Sequence, residues 1–366
     1  MLEPIIIVGA GITGLYAASL LTQQGIPCKV VESRERIGGR VLSVTVPGEE
    51  RLGRFDLGPT WFWPQYEPKI EQLVKKLQLQ TFVQRNDGDL LVERFQTKPP
   101  ERCVMQENTQ ERGVRITGGI QSLIEALAET IPTTQIELNT RVKKVCLTPE
   151  GNVAVMIEKS EGKIEWQQAS KVVFALPPRL LAKHMEFSPE LSRELLEDLK
   201  EKPTWMGSQA KAIAVYDQPF WRGSGLSGLV LSSAGPLQEI YDASPLEGAG
   251  ALFGFLGISS EVRQQMGQEK IKQLVSKQLG KLFGQQAENP LAILYKDWSS
   301  DEDTAVLEDS HPIKNYTSYG QPTITGPWEE KIIFAGTETN AHYSGHLEGA
   351  LESAEFAVGK IRSQSI

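Results

Sequence analysis

Residues 5–14 read IIIVGAGITG, and this stretch decides the fold. Its first four residues are β-branched and apolar, which predicts a buried strand of a parallel sheet. A helical pattern of leucines and alanines follows, and it stops at Gly25, where glycine favours a helix end. Residues 28–32 then form a second apolar run that ends in an acid. This order of strand, glycine turn, helix and strand is typical of the first unit of a doubly wound dinucleotide-binding fold.

The glycines and the acid of this unit each have a predicted role. Gly9 permits the tight turn, Gly11 lets the backbone approach a pyrophosphate, and Gly14 lets the helix pack closely on the strand. The free N–H groups at the start of the helix would bind the phosphates. Glu32 can accept hydrogen bonds from ribose hydroxyls. The residues predicted to contact the dinucleotide are Gly9, Gly11, Ile12, Thr13, Gly14, Glu32 and Ser33.

A second glycine loop follows the second predicted strand. Residues 34–41 read RERIGGRV and place Gly38 and Gly39 between arginines. Such a loop can lie against a pyrophosphate while Arg40 neutralises its charge. The first motif serves both NAD and FAD, and this loop favours FAD.

Composition and charge narrow the class of protein. A chain of 366 residues indicates two packed domains, or one domain with large insertions. Its net charge of −8 argues against nucleic-acid binding, which needs a basic face, and would mildly favour cationic substrates. The histidines show no metal-ligand spacing, and no metal is expected. Nothing in the sequence indicates an oligomeric state.

The termini and the cysteines indicate a cytoplasmic protein. The three cysteines, Cys28, Cys103 and Cys146, are too few and too widely separated for a disulfide framework, which fits a reducing compartment. The N-terminus enters the first strand without the basic segment and cleavage site of a signal peptide. No apolar run has the length of a membrane span, and we expect no membrane anchor.

The stretch from Gly9 to Arg40 resembles the N-terminus of the flavin-containing amine oxidase family, which includes monoamine oxidases, polyamine oxidases and L-amino-acid oxidases. The resemblance is patchy but extends from end to end. Further segments that resemble the family, in chain order, are residues 55–61, 115–120, 140–145, 172–178, 332–339 and 344–350.

The resemblance implies further FAD contacts. Residues 55–61 resemble the segment beside the flavin ring, and the strand from residue 140 resembles the one that lies against the adenine. The last strand and the helix after it could direct the helix N-terminus at the flavin N1–C2=O edge, where negative charge collects on reduction. The contacts implied in these segments are Pro59, Thr60, Trp61, Val142, Gly336, Thr337, Glu338, His346 and Leu347.

Lys211 is the residue that indicates amine chemistry. Residues 209–216 predict a strand with alanines on one face, and Lys211 shares the other face with Ile213 and Val215. Because neither face is polar, we expect a central strand and a buried lysine, although burial of an unpaired ammonium is costly. The segment resembles the family's lysine segment, which implies that Lys211 holds a water near flavin N5 and assists reoxidation by oxygen. The alternative is an edge lysine that blocks aggregation.

The sequence departs from monoamine oxidases at the flavin and at the substrate. The cysteine that bonds their flavin has no counterpart after residue 150, so we expect non-covalent FAD. Of their two cage tyrosines, one matches His346, and the other matches Tyr316 or, in an alternative register, Tyr319. A protonated imidazole would repel a cationic amine. Further predicted pocket walls are Trp61, Trp63 and Trp298.

The motif order predicts an α/β fold, a doubly wound FAD/NAD(P)-binding Rossmann-type domain with a mixed-sheet α+β substrate domain. We predict the FAD domain from residues 1–66, 113–200 and 301–366, and the substrate domain from residues 67–112 and 201–300. Residues 67–112 are shorter than is usual in the family, which would leave the pocket open. Helical patterns at residues 191–201 and 269–282 are predicted to cover the substrate-domain sheet.

The resemblance implies hydride transfer from the carbon beside a neutral amine to flavin N5, hydrolysis of the imine, and reoxidation by O₂ to hydrogen peroxide. The expected partners are therefore a small amine and O₂. Two alternatives remain open. One is a flavin desaturase or isomerase that acts on a lipid-like polyene, although no amphipathic anchor helix is evident. The other is a flavin-bound protein without turnover.

Overall fold

A computed structural model describes residues 3–104, 112–160, 162–311 and 319–364. The strands of these ranges are β1 (Ile5–Val8), β2 (Cys28–Val31), β3 (Ser43–Val44), β4 (Phe55–Asp56), β5 (Thr81–Val83), β6 (Asp89–Glu93), β7 (Glu101–Cys103), β8 (Val114–Ile116), β9 (Ile136–Glu137), β10 (Thr140–Leu147), β11 (Val153–Lys159), β12 (Ile164–Ala169), β13 (Lys171–Ala175), β14 (Glu186–Ser188), β15 (Ala210–Tyr216), β16 (Leu226–Ser232), β17 (Leu237–Asp242), β18 (Gly250–Leu256), β19 (Ala292–Asp297) and β20 (Ile332–Ala335). The α-helices are α1 (Ile12–Gln23), α2 (Pro68–Lys76), α3 (Gln121–Glu129), α4 (Pro178–His184), α5 (Arg193–Glu201), α6 (Ser260–Met266), α7 (Gln268–Phe283) and α8 (Leu347–Ser363).

A parallel sheet of order β20-β13-β1-β2-β9 forms the centre of one half of the molecule. Its central strand β1 is fully apolar because both faces of the sheet are covered. Helices α1, α3 and α8 bury their apolar faces on one side, and the four-stranded sheet β12-β11-β10-β14 covers the other. The predicted Rossmann-type domain is confirmed.

A mixed sheet of order β19-β15-β18-β17-β16-β6-β7 forms the other half. Its neighbours are antiparallel except for β16 and β6, which run parallel. Helix α7 packs on one face, against the alanine face of β15. The opposite face, which contains Ile213 and Val215, packs against Phe55 and Leu57 from the N-terminal segment. The predicted mixed-sheet domain is confirmed.

The position of α5 corrects one expectation. We predicted that residues 191–201 would cover the substrate-domain sheet. Helix α5 instead buries Leu195 and Leu199 against the parallel sheet, in a cluster that includes Phe174 and Trp328. The reason is that helical spacing fixes which face of a helix is apolar but not which sheet that face meets. The prediction for residues 269–282, which form most of α7, is confirmed.

The division into two domains stays a prediction, and α2 shows how closely the halves are joined. This helix lies within the range assigned to the substrate domain. Its apolar residues Ile70, Leu73 and Val74 pack in the cluster that α1 and α8 form on the parallel sheet. Across the four described ranges, no helix has the length and apolar composition needed to cross a bilayer.

Replacing Leu199 with alanine should test the observed position of α5. Leu199 is fully buried, so the change should lower the free energy of unfolding by about 2–5 kcal/mol through lost burial and a residual cavity. The matched control is Leu307→Ala at a leucine that is 81% exposed, which should change stability by less than about 0.5 kcal/mol. Urea unfolding measures both, and equal effects would contradict the packing of α5.

Candidate active site

One cavity of about 400 Å³ joins the two halves of the molecule. At one end it is lined by residues that directly follow β1, β2, β13 and β20, at the carboxyl edge of the parallel sheet. At the other end it reaches Lys211, Phe253 and Phe255 of the mixed sheet. Doubly wound folds bind their ligands at this edge of the sheet, so the position matches a cofactor site that opens onto a substrate site.

The first glycine loop forms a cradle that fits a diphosphate. A Cβ atom on Gly9, whose φ is +104°, would lie 2.6 Å from Ala175 O, and one on Gly14 would lie 1.9 Å from Gly9 O. A Cβ atom on Gly11 would meet no described atom within 4 Å. No described side chain caps the N-terminus of α1, and Gly11, Ile12 and Thr13 at this end line the cavity. Tight packing behind the loop and free space in front of it are what phosphate binding requires.

The second glycine loop is fixed against the first. The Gly38 N–H donates to Ala10 O at 2.8 Å, and the Arg36 guanidinium donates to Gly39 O at 2.8 Å. Glu32 fastens the same turn, because its carboxylate accepts from the N–H groups of Ala10 at 2.7 Å and Arg34 at 2.9 Å. Glu32 is buried and also lines the cavity. The carboxylate therefore fixes the turn in addition to its predicted role at the ribose.

Arg40 has a partner that the sequence did not indicate. Its guanidinium donates to both carboxylate oxygens of Glu338, at 2.6 and 2.9 Å. Glu338 is fully buried and also accepts from the Trp205 N–H at 3.0 Å. Such a bidentate pair fixes the orientation of the guanidinium. Arg40 lines the cavity with part of its charge balanced by this carboxylate.

Lys211 is buried in the central strand β15, as the alternation of the sequence predicts. Its Nζ donates to Thr60 Oγ1 at 2.6 Å and to Gly58 O at 3.0 Å, and it lies 3.9 Å from the centre of the Phe253 ring. Burial lowers the pKa of Lys211 to about 7, although attraction to Asp56 opposes the shift. The side chain thus gives the cavity an amine that can change charge near neutral pH.

Aromatic side chains line the cavity around Lys211. The Trp61 ring packs edge-on against Tyr241 and Trp63, with centroids 5.2 and 6.3 Å apart. Trp298 donates from Nε1 to Leu57 O at 3.1 Å, which fixes its indole at the wall. Rigid aromatic walls of this kind exclude water from a site.

His346 lies at the N-terminus of α8 and forms a hydrogen bond with Glu67. Its Nδ1 lies 2.8 Å from Glu67 Oε1, and the other carboxylate oxygen accepts from the Trp63 N–H at 2.7 Å. Glu67 is 3% exposed, whereas the His346 side chain is 43% exposed, and both line the cavity. The hydrogen bond to Glu67 raises the pKa of His346 above its usual range.

Comparison with known proteins identifies the family. The model of the flavin containing amine oxidoreductases matches residues 90–362, and that of the NAD(P)-binding Rossmann-like domains matches residues 7–77. The chain belongs to the flavin-containing amine oxidoreductase family. The family match covers the mixed-sheet half and the C-terminal cofactor segments, and the Rossmann match covers the glycine cradle.

Individual relatives of this family are distant. AofH of Mycobacterium tuberculosis, whose name describes a flavin-containing monoamine oxidase, is 30% identical over 68% of this chain, and the match spans 52% of AofH. Putrescine oxidase of Kocuria rosea is 23% identical over 98% of this chain and 94% of its own length. The structure of cyclohexylamine oxidase from Brevibacterium oxydans superposes with a TM-score of 0.79 at 20% identity, covering 100% of this chain and 99% of that one. The structural likeness shows the fold.

The cavity brings together most of the residues that the sequence predicts for the site. The predicted substrate-pocket residues among its lining are Trp61, Trp298 and His346, and the predicted catalytic Lys211 also lines it. The predicted cofactor residues among its lining are Gly9, Gly11, Ile12, Thr13, Glu32, Ser33, Gly38, Gly39, Arg40, Pro59, Thr60, Trp61, Val142, Gly336, Thr337, His346 and Leu347. Their roles as ligands of a bound cofactor stay predictions.

Other predicted residues lie elsewhere. Gly14 and Glu338 lie behind the lining, where Gly14 permits the close packing of α1 and Glu338 pairs with Arg40. Tyr319, predicted as a substrate wall, also lies outside the cavity lining and donates its hydroxyl to Pro203 O at 3.0 Å, because its ring packs beside Trp205. Tyr316 lies outside the described residues.

Glu67 is the functional candidate that the sequence analysis missed. The one signal was an acid directly before Pro68, where a helix begins. That signal predicts a stabilising charge at a helix start and does not indicate a partner far along the chain.

Lys211→Met should change the pH dependence of stability. Below pH 7 the lysine is charged in the folded and unfolded states, and its burial lowers stability. Between the folded pKa of about 7 and an unfolded pKa of about 10.4, the unfolded chain binds more protons, so the wild type gains stability as the pH rises. The variant should therefore exceed the wild type in unfolding free energy most at pH 6, and the gap should shrink toward pH 10.

Urea unfolding in excess FAD from pH 6 to 10 measures this difference. Lys296→Met is the matched control, because Lys296 is the register partner of Lys211 on β19 and does not line the cavity. A difference in unfolding free energy between Lys211→Met and the wild type that is the same at every pH would contradict the lowered pKa of Lys211.

Proposed function

We propose that this protein is an FAD-dependent amine oxidase that holds its flavin non-covalently. The observation that carries the proposal is a single cavity with two ends of different chemistry. One end presents the glycine cradle and the N-terminus of α1, and the other places the buried amine of Lys211 among aromatic walls. FAD carries a diphosphate and a flavin ring at separate positions along one molecule. A cavity that connects the glycine cradle to the aromatic end can therefore hold both groups.

The described residues fit FAD. The N–H groups at the start of α1 and the glycine backbone would hold the diphosphate, with Arg40 beside it. Glu32 and Val142, which both line the cavity, would meet the ribose and the adenine. The N-terminus of α8, which no described side chain caps, would face the flavin ring.

The positions of the cysteines support non-covalent attachment. Cys28, Cys103 and Cys146 are free, and none of them is among the described residues that line the cavity. The cysteines also support the cytoplasmic location, which stays a prediction.

When bound, FAD would supply the hydride-accepting chemistry for oxidation of the carbon beside the amine, and with O₂ and water the overall products would be a carbonyl compound, ammonia and hydrogen peroxide. The aromatic walls of Trp61, Trp298 and Phe253 would exclude water and favour the neutral form of the amine. Lys211, held by Thr60 and Gly58, would present its Nζ toward the reacting region and support the reaction with oxygen. The names of the relatives, which include monoamine, putrescine and cyclohexylamine oxidases, support an amine substrate.

The purified protein should be yellow, and acid precipitation should release the colour into the supernatant. The reason is that no cysteine is placed to form a bond with the flavin. Absorbance spectra of pellet and supernatant measure the distribution. Colour that stays in the pellet would show a covalent flavin and contradict this part of the proposal.

Anaerobic addition of primary amines, polyamines and L-amino acids should bleach the flavin band with at least one class. Lys211→Met should then slow reoxidation by oxygen more than it slows bleaching, because the buried amine is removed. Lys296→Met should change neither rate. Stopped-flow absorbance measures both half-reactions, and the absence of bleaching with every class would overturn amine oxidation.

A further inference from the structure

The pair formed by Glu67 and His346 has the geometry of an oriented base. Glu67 is buried, and its carboxylate is fixed at both oxygens, by His346 Nδ1 at 2.8 Å and by the Trp63 N–H at 2.7 Å. Neutral His346 that donates from Nδ1 to this carboxylate keeps an acceptor lone pair on Nε2. No described residue forms a hydrogen bond with Nε2, and the ring lines the cavity beside Trp63, with centroids 6.3 Å apart.

The backbone next to Glu67 and His346 is also fixed by hydrogen bonds. The His346 carbonyl accepts from the Thr337 hydroxyl at 2.9 Å, within the turn after β20. Glu67 directly precedes α2, and His346 directly precedes α8. These two helices have a second connection, because the Glu348 carboxylate accepts from the N–H groups of Lys69 at 3.0 Å and Ile70 at 2.9 Å. Glu67, before α2, thus binds His346 at the start of α8, and Glu348 of α8 binds the start of α2. These contacts leave the imidazole little freedom to turn away from the cavity.

The other charged groups near the pair are already matched. Lys69 pairs with Glu355 at 2.6 Å, and Glu352 accepts from the Asn340 amide at 2.8 Å. Glu348 is occupied by the backbone N–H groups at the start of α2. Among the described residues of these two helices, Glu67 is the carboxylate that faces the imidazole. It raises the pKa of His346 and so makes the ring a stronger base.

We propose that His346, oriented by Glu67, is the base that takes a proton from the ammonium form of the substrate. The inference rests on the proposed amine oxidation, which requires a neutral amine, whereas most amines reach the cavity as cations at neutral pH. When His346 is neutral, the pair has a net charge of −1 and attracts the ammonium. After the transfer, the imidazolium is balanced by Glu67.

The proton transfer is balanced without any further reactant. A new bond forms between Nε2 and the proton, one N–H bond of the ammonium breaks, and its electron pair stays on the substrate nitrogen. The free amine then has the lone pair that assists loss of hydride from the neighbouring carbon. The His346 side chain is 43% exposed, so the proton can pass on to solvent.

The test compares anaerobic bleaching of the holoenzyme by two amines as a function of pH. One is an ordinary primary amine that is protonated at pH 7, and the other is a fluorinated amine that is already neutral there. His346→Gln should slow bleaching by the ordinary amine at pH 7 by about 10²- to 10⁴-fold, the usual contribution of a general base. The ratio of the wild-type rate to the variant rate should be small with the fluorinated amine, which needs no base. For the ordinary amine this ratio should fall toward pH 10, where the amine loses its proton in solution.

Two further variants separate the base from a structural role. Glu67→Gln should move the ionisation seen in the bleaching rate to lower pH and lower its alkaline plateau. NMR titration of His346 in the holoenzyme should show the same downward shift in its pKa, which is a readout independent of turnover. His342→Gln is the matched control, because His342 is an exposed histidine of the same loop that does not line the cavity. It should leave the bleaching rates with the ordinary and the fluorinated amine unchanged.

The outcomes distinguish this inference from the function on which it rests. A wild type that no amine bleaches would overturn amine oxidation and the base together. A wild type that bleaches, with a His346→Gln deficit that is the same at every pH and for both amines, would overturn the base alone. An unchanged His346 pKa in Glu67→Gln would show that the carboxylate does not tune the ring.

Discussion

The N-termini of α1 and α8 open on one cavity, and the structure depends on this arrangement. The first N–H groups of a helix have no partner within the helix, and no described side chain caps either of these ends. Helix α1 follows β1 after three residues, and α8 follows β20 after the loop of residues 336–346, so the topology brings their positive ends to the same edge of the parallel sheet. An anionic cofactor with an electron-accepting ring would place its phosphates at the N-terminus of α1 and its ring at the N-terminus of α8. Binding of one cofactor by both helix ends would require the glycine loops and the last strand to lie beside the same cavity.

The parts of the molecule that could be predicted from sequence are those with local causes. The β-branched run, the glycine spacing and the helical pattern specify the first unit, because each is set by neighbours a few residues away. Lys211 could also be predicted as buried, since both faces of its strand are apolar. Its partners Thr60 and Gly58 could be placed beside it only by resemblance, because the mixed sheet meets that segment through tertiary packing.

The parts that could not be predicted are pairings between distant segments. Glu67 and His346 are separated by 279 residues and Arg40 and Glu338 by 298, and neither pair has a local pattern that indicates its partner. The same limit explains the position of α5. Its amphipathic face was evident, but the sheet that it covers depends on the path of the whole chain.

The two ends of the cavity are built from different kinds of groups, and this difference bears on specificity. The proposed cofactor end is formed largely by backbone groups and by glycines, of which Gly9 and Gly38 leave no room for a Cβ atom, so its chemistry is tied to the fold itself. The proposed substrate end is lined by side chains such as Trp61, Trp298 and His346, which can be exchanged while the backbone stays in place. Relatives at 20–25% identity can therefore keep one fold and act on different amines. In this chain, an imidazole held by a buried carboxylate lies in the cavity wall, and in the proposed reaction it is the wall itself that takes the proton from the arriving substrate.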